Sequence, residues 1–229
     1  MRIGAITIGQ SPRPDILGEL LAPELRAVEF VEAGALDALA PQQIAALAPR
    51  PTEPALVTRL RDGSVVKVSA ARIAPLLRDC VQRVEQADVA ASVLLCTADF
   101  DFLRSEHRLF RPAQLLRAAA NALVAQGVLA VVVPEESQAA GASQEWLVPE
   151  RQVVVATLPP YDPSPAQLAR LVEQLRRNDL DLVVLNCMGY GRATQQHLAR
   201  ALRVPVLSPR LVLAAVLSAF VAAFAPPPR

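Results

Sequence analysis

Lysine and histidine are almost missing from this chain. Lys67 is its only lysine, and His107 and His197 are its only histidines. An enzyme that forms a lysine imine would have to use Lys67, and a histidine-rich metal site is excluded. Cysteine is scarce as well. Cys80, Cys96 and Cys187 are odd in number and lack a CxxC spacing, so they read as free thiols of a reducing compartment, not as a disulfide framework. An excess of positive charge is also lacking. The 23 basic and 22 acidic side chains leave a net charge of +1, which excludes the strongly basic surface of a general nucleic-acid binder. No apolar run is long enough to cross a bilayer: the most apolar stretch, residues 211–225, falls short of the ~20 residues a crossing helix needs. It reads as a buried terminal helix. The short apolar run at the N-terminus stops at Gln10-Ser11-Pro12, so no export signal is read and the cytoplasm is the expected location.

Common catalytic motifs are absent too. The chain has no GxxxxGK[ST] phosphate loop, no GxGxxG after a strand, no GxSxG elbow and no HExxH. Gly189-Tyr190-Gly191 is only a fragment of a dinucleotide-binding turn. An enzyme built from what remains would use thiols, carboxylates and backbone amides.

What is present is a large apolar fraction, 52% of 229 residues, enough to bury a real core. Short apolar runs alternate with longer helical periods, the pattern of an α/β fold with parallel sheets. Strands are expected at residues 2–8, 27–31, 93–96, 128–133, 152–156, 182–187 and 204–207. Helices are expected at 112–126, opened by Pro112, and at 164–177, capped by Ser164 before Pro165. Cys80 falls in a helical run, 73–84, among apolar neighbours and reads as core. Residues 55–60 and 64–68 flank Arg61-Asp62-Gly63, a hairpin turn signal, so an inserted β-hairpin is expected there. Its Thr58, Arg59, Arg61 and Lys67 alternate with apolar residues, which predicts one solvated face. Pro41, Pro51 and Pro54 mark loops, and Pro226-Pro227-Pro228 reads as a frayed tail.

Cys96 and Cys187 carry the sharpest functional signal. Val93-Leu94-Leu95-Cys96 and Val183-Val184-Leu185-Asn186-Cys187 each run an apolar strand into a thiol, and a loop and helical periodicity follow. Open α/β sheets place ligands at such strand ends. Amides at a helix N-terminus would lower the thiol pKa from about 8.5. Two thiols on opposite sides of a carbon can remove a proton from one face and return it on the other. Each sulfur then needs to lie roughly 3–3.5 Å from its target, so the pair would stand about 6–8 Å apart. That chemistry needs no metal and no organic cofactor.

Several segments together resemble one family. Ile6-Thr7-Ile8-Gly9-Gln10-Ser11-Pro12-Arg13, the hairpin, Val133-Pro134, Pro160-Tyr161 and Asn186-Cys187-Met188-Gly189-Tyr190 are similar, in order, to AroM proteins. AroM proteins in turn resemble the aspartate/glutamate/hydantoin racemase superfamily. The resemblance implies two pseudo-symmetric Rossmann-like parallel-sheet halves with a cysteine from each facing one cleft. The first half would be residues 1–105 plus 208–229, and the second 106–207. Cys96 and Cys187 would be the catalytic pair. Cys187-Met188-Gly189-Tyr190 is closer to the hydantoin racemase form than to the amino-acid racemase form, and Gln10-Ser11 stands where amino-acid racemases carry Asp-Ser. The implied function is a cofactor-independent racemase or isomerase, linked to aromatic amino-acid (shikimate) metabolism. A non-catalytic binding or sensor protein on the same scaffold, or a single-cysteine decarboxylase, stays open as the alternative.

The remaining site candidates are substrate-binding. Gly9, Gln10, Ser11 and Arg13 follow the first strand, where amides and a guanidinium can hold a carboxylate. Thr97 and Asp99 follow Cys96, and Asp99 can tune the thiol or orient an ammonium. Tyr161 can line the cleft, Met188 and Tyr190 flank the second cysteine loop, and Gly189 allows close backbone approach. The expected partners are a small-molecule carboxylate and at most a second copy of the chain as a homodimer, with no nucleic acid and no membrane.

Overall fold

A computed structural model describes residues 1–20, 22–53 and 55–224. The loop expected at Pro54, the end of the terminal helix at Ala225 and the tail at Pro226-Pro227-Pro228 lie outside them. In chain order the strands and helices are β1 (Arg2–Thr7), α1 (Pro14–Leu17), β2 (Glu29–Gly34), α2 (Pro41–Ala45), β3 (Ala55–Arg59), β4 (Val65–Ser69), α3 (Ala70–Glu85), β5 (Ala91–Leu94) and β6 (Arg108–Phe110). Then come α4 (Pro112–Leu123), β7 (Gly127–Val133), α5 (Ala139–Glu145), β8 (Arg151–Thr157), α6 (Pro165–Leu175), β9 (Leu182–Leu185), α7 (Arg192–Leu202), β10 (Val206–Leu207) and α8 (Pro209–Phe224).

Two parallel sheets form, with orders β2-β1-β5-β6 and β10-β9-β7-β8. In each half the first strand to appear lies between the second and the third, and the fourth joins beyond the third. The halves therefore share one topology, and β5 and β9 are equivalent third strands. The central strands are rich in Val, Ile, Leu and Ala and are buried except at the starts of β1 and β7, as sheets covered on both faces require.

The helix signals act as their chemistry dictates. Ser164 caps α6 by accepting the Gln167 amide at 3.3 Å, and Gln167 returns the bond to the Ser164 amide at 2.8 Å. Cys80 lies on the buried side of α3 with Ile73, Leu77, Val81 and Val84. Gly63, at φ +87, closes the β3–β4 hairpin, a backbone conformation glycine adopts without penalty.

Three expectations need correction. The stretch Arg108–Phe110 is a strand, β6, paired parallel with β5, so the first sheet extends past the expected boundary at 105. Thr58 is not solvated: it is 1% exposed, because β3 is covered on both faces and only β4 keeps a solvent face. After Cys96 the chain runs through a loop into β6, not into a helix, so no helix N-terminus faces that thiol.

The halves exchange their last helices. Leu116 and Ala120 of α4 pack with Leu129, Val131 and Val133 of the second sheet. Leu213 and Leu217 of α8 return to Ile3 and Ala5 of the first. The two helices pack on each other. This crossover binds the halves into one body and fixes the separation of their strand ends, where the two thiols sit. No helix among the described residues is long and apolar enough to cross a membrane.

Candidate active site

Cys96 and Cys187 each stand two residues beyond the third strand of their half. Their local geometry repeats. The Leu95 amide donates to the Ile6 carbonyl of the adjacent strand, and the Asn186 amide donates to that of Val132. The Cys96 sulfur accepts the Ala98 amide at 3.4 Å, and the Cys187 sulfur accepts the Gly189 amide at 3.3 Å. Thr97 ties the two loops together, its hydroxyl donating to the Asn186 carbonyl at 3.0 Å. The sequence echo thus corresponds to a structural repeat.

Both cysteines line a cavity of about 270 Å³ between the halves. Ile8, Leu56, Val57, Val133 and Pro134 give it apolar walls, and Thr97, Ser137, Gln138 and Asn186 give it polar positions. Among the described residues, its lining holds no Arg, Lys or His. Asp99 and Glu145 also line it, and both pair with Arg117. A second, narrow pocket of about 20 Å³ also touches both cysteines. There the other walls include Arg13, Thr58, Tyr161, Met188 and Gly189.

Burial decides the charge state of the thiols. It pushes Cys96 up to about 12, more than the Ala98 amide can offset, and a charge on Cys187 pushes it further. Cys187 is raised too, again by burial, against the pull of the Gly189 amide, Arg210 and Arg13. The lowered thiol pKa expected from helix termini is therefore overturned: desolvation wins, and both thiols rest neutral. Cys187 is the more exposed of the two and has the cations near it.

Arg13 is buried and already satisfied. Its Nε and one terminal nitrogen fork onto Asp15 at 2.8 and 2.7 Å, and the other reaches Thr7 Oγ1 at 3.1 Å. It also donates to the Tyr161 hydroxyl at 3.1 Å. Tyr161 is pushed up to about 12 by burial and by a charge on Cys187, against Arg13. Its ring faces two guanidiniums, with the Arg59 and Arg13 carbons 4.7 and 5.8 Å from the centroid.

Gly9, Gln10 and Ser11 do not reach either thiol cavity. The Ser11 amide and hydroxyl both donate to Asp37, at 2.7 Å each, and Glu32 takes the Arg13 amide. The Ser11 and Arg13 amides are thus occupied by the chain's own carboxylates, and the Gly9 amide donates to the Thr7 hydroxyl at 3.2 Å. Gln10 accepts the Arg61 amide at 2.9 Å, and Arg61 Nε donates to the Ser11 carbonyl at 2.7 Å. A Cβ on Gly9 would stand 2.3 Å from Thr58 Oγ1 and 2.6 Å from the Arg59 carbonyl. This segment anchors the hairpin.

Tyr190 is fully buried and donates to the Leu158 carbonyl at 2.7 Å, so it is a core residue. Met188 packs against Ile3 and Leu213 while touching the narrow pocket. Gly189 lies under Tyr161, where a Cβ would meet the ring at 2.9 Å.

Sequence reasoning missed Arg210. It is 5% exposed and donates to the Met188 and Gly189 carbonyls at 2.8 and 3.2 Å, to the Asp15 carbonyl at 2.7 Å and to Glu19 at 2.7 Å. It fixes the Cys187 loop to α8 and α1. The available signal was a lone charge at the start of an otherwise apolar helix. Among the described residues no cluster of His, Cys, Asp or Glu is placed to hold a metal.

Comparison with known proteins sets this geometry in context. A family model described as AroM protein matches residues 3–221. No curated protein sequence matches the chain. Allantoin racemase from Klebsiella pneumoniae is similar in structure, with TM-score 0.62, 18% identity, and coverage of 97% of this chain and 88% of that one. Glutamate racemase from Francisella tularensis, in complex with D-glutamate, gives 0.61 at 12% identity, covering 96% and 81%. Unliganded arylmalonate decarboxylase gives 0.57 at 17% identity, covering 100% and 95%. At these identities the likeness establishes the racemase-like fold.

Proposed function

Because this chain belongs to the AroM family, we propose that it is a cofactor-independent, racemase- or isomerase-like enzyme acting on a small carboxylate or a related carbonyl compound, with Cys96 and Cys187 as its acid and base. The observation that carries this reading is that two thiols, at equivalent strand ends of the two halves, line one cavity. The similar structures include allantoin and glutamate racemases, which supports inversion at a carbon as the reaction.

Cys187 is the better base, being more exposed and closer to compensating cations. As a thiolate it takes the proton from the substrate carbon. Cys96, held neutral by burial, gives a proton to the opposite face. A thiolate of high pKa is a strong base, which suits a weakly acidic C–H bond. The apolar walls fit an apolar or aromatic substituent on that carbon, in keeping with the aromatic amino-acid link that the family resemblance implies.

A second reading rests on the same raised thiols. A decarboxylase needs only one neutral thiol to protonate the carbanion left by CO₂, and both thiols rest neutral here.

Deuterium exchange followed by NMR in D₂O separates these readings. The panel holds aromatic amino acids, shikimate-pathway acids, hydantoins and arylmalonates. The racemase reading expects exchange at the acidic carbon of one class, with each Cys→Ala variant lowering it by about 10²–10⁴-fold. CO₂ release that survives Cys96→Ala but not Cys187→Ala supports the decarboxylase. Ligand-induced stabilisation without exchange on any member supports the non-catalytic binding protein.

A further inference from the structure

The hairpin insertion reaches the thiols through one residue. Thr58, on β3, lines the narrow pocket with Cys96, Cys187 and Arg13. Its side chain is 1% exposed, and its Oγ1 has no hydrogen-bond partner in the protein. A buried, unpaired hydroxyl is destabilising, and the cost persists only where another constraint holds the group in place. Here that constraint is the anchoring of the hairpin at both ends. On one side Gly9 leaves room for Thr58 itself, and Gln10, Ser11 and Asp37 hold Arg61. On the other, Ser137 accepts the Ala55 amide, Lys67 pairs with Glu135, and Arg59 pairs with Asp162. The strand is clamped across the two halves, with Thr58 on the wall of the narrow thiol pocket and its hydroxyl buried without a partner.

We propose that Thr58 is a substrate-binding residue whose hydroxyl donates to an oxygen of the substrate's carboxylate or carbonyl group, next to the carbon between the two thiols. The inference rests on the reading of the space between the two thiols as the substrate site; Thr58 lines the narrow pocket there, while Leu56 and Val57 of the same strand line the larger cavity. It also gives the Gly9-Gln10-Ser11 segment a role, since that segment holds the strand that carries the hydroxyl. The ligand chemistry follows from the neighbours. A hydroxyl donor favours an oxygen acceptor, and two neutral thiols do not oppose one that carries negative charge.

Iodoacetate is a suitable probe, because it carries a carboxylate on an electrophilic carbon. A thiolate forms a C–S bond to that carbon, iodide leaves with the bonding pair, and the thiol proton goes to solvent. Labelling of the full-length protein at pH 9 is followed by peptide mass. Methyl methanethiosulfonate, which has no carboxylate and forms a mixed disulfide with release of methanesulfinate, reports thiol reactivity alone. Thr58→Val is expected to slow iodoacetate labelling of the site cysteines about tenfold, to leave the thiosulfonate rate unchanged, and to keep or raise the melting temperature. Thr58→Ser, which keeps the hydroxyl, should recover most of the lost iodoacetate rate. Iodoacetate labelling of Thr58→Val at the wild-type rate overturns the proposal. So does an equal fall with both reagents and a lower melting temperature, which would mark a structural role. Absence of deuterium exchange in the wild type would sink the enzymatic reading but leave this labelling contrast as an independent test.

Discussion

Cys96 is neutral because its surroundings are dry, and this has a consequence for stability that needs no substrate. An unfolded cysteine titrates near about 8.5, whereas the folded Cys96 thiol is pushed up to about 12. Between those values the unfolded chain has released the proton and the folded chain still holds it. Stability therefore falls as pH rises through this window, at up to about 1.4 kcal/mol per pH unit. Urea unfolding at pH 8 and pH 10 checks this. The wild type should lose about 1.9 kcal/mol more than Cys96→Ser across that interval, and equal losses would contradict the burial argument. The position of both thiols was legible in the sequence, since an apolar strand ending in cysteine occurs twice. Their protonation was not, because it depends on packing from β3 and from the opposite half. The same limit applies to Gln10 and Ser11. Their chemistry suits a ligand, but Asp37, Leu36 and Arg61 take their donors and acceptors, and no local pattern announces those partners.

At the scale of elements, the β3–β4 hairpin is the insertion that shapes the cavity. Its turn was legible from Asp62-Gly63, and its alternation suggested one wet face. The structure covers that face of β3 because the strand lies between the two halves, a tertiary relation that the alternation of one strand does not encode. β6 was missed for a different reason: three residues at a sheet edge are too short to show a period. Gly9 links the first strand to the hairpin. Gly9→Ala places a Cβ within 2.6 Å of the Arg59 carbonyl, a backbone atom that cannot rotate aside. The variant should lose about 1–3 kcal/mol in urea unfolding. It should also label with iodoacetate more slowly than the wild type, because the hairpin shifts with Thr58. Wild-type stability for Gly9→Ala would mean that the hairpin is not held by this contact.

For the whole molecule, the decisive feature is that two halves of one topology meet at their third-strand ends. The alternation of strands and helices and the paired cysteines made that arrangement legible. The exchange of α4 and α8 was implied by the family resemblance, which put residues 106–207 in the second half and returned 208–229 to the first; the contacts that hold it follow from packing. Arg210 joins these parts, holding the Cys187 loop to α8 and α1 through four buried or half-buried bonds, to Met188, Gly189, Asp15 and Glu19. Arg210→Met removes the donor set while leaving Glu19 and three carbonyls behind, and should cost about 3–5 kcal/mol in urea unfolding. A loss below about 1 kcal/mol would show that the loop is held by its own packing.

The central claim is that the two thiols act on opposite faces of one substrate carbon. It is tested most directly with resolved enantiomers of the panel compound that exchanges, incubated in D₂O under initial-rate conditions and analysed by NMR and chiral separation. The account predicts that deuterium appears first in the product of inverted configuration, and that loss of either thiol stops the interconversion. Deuterium that enters with retention, or interconversion that survives in Cys96→Ala or Cys187→Ala, would contradict it.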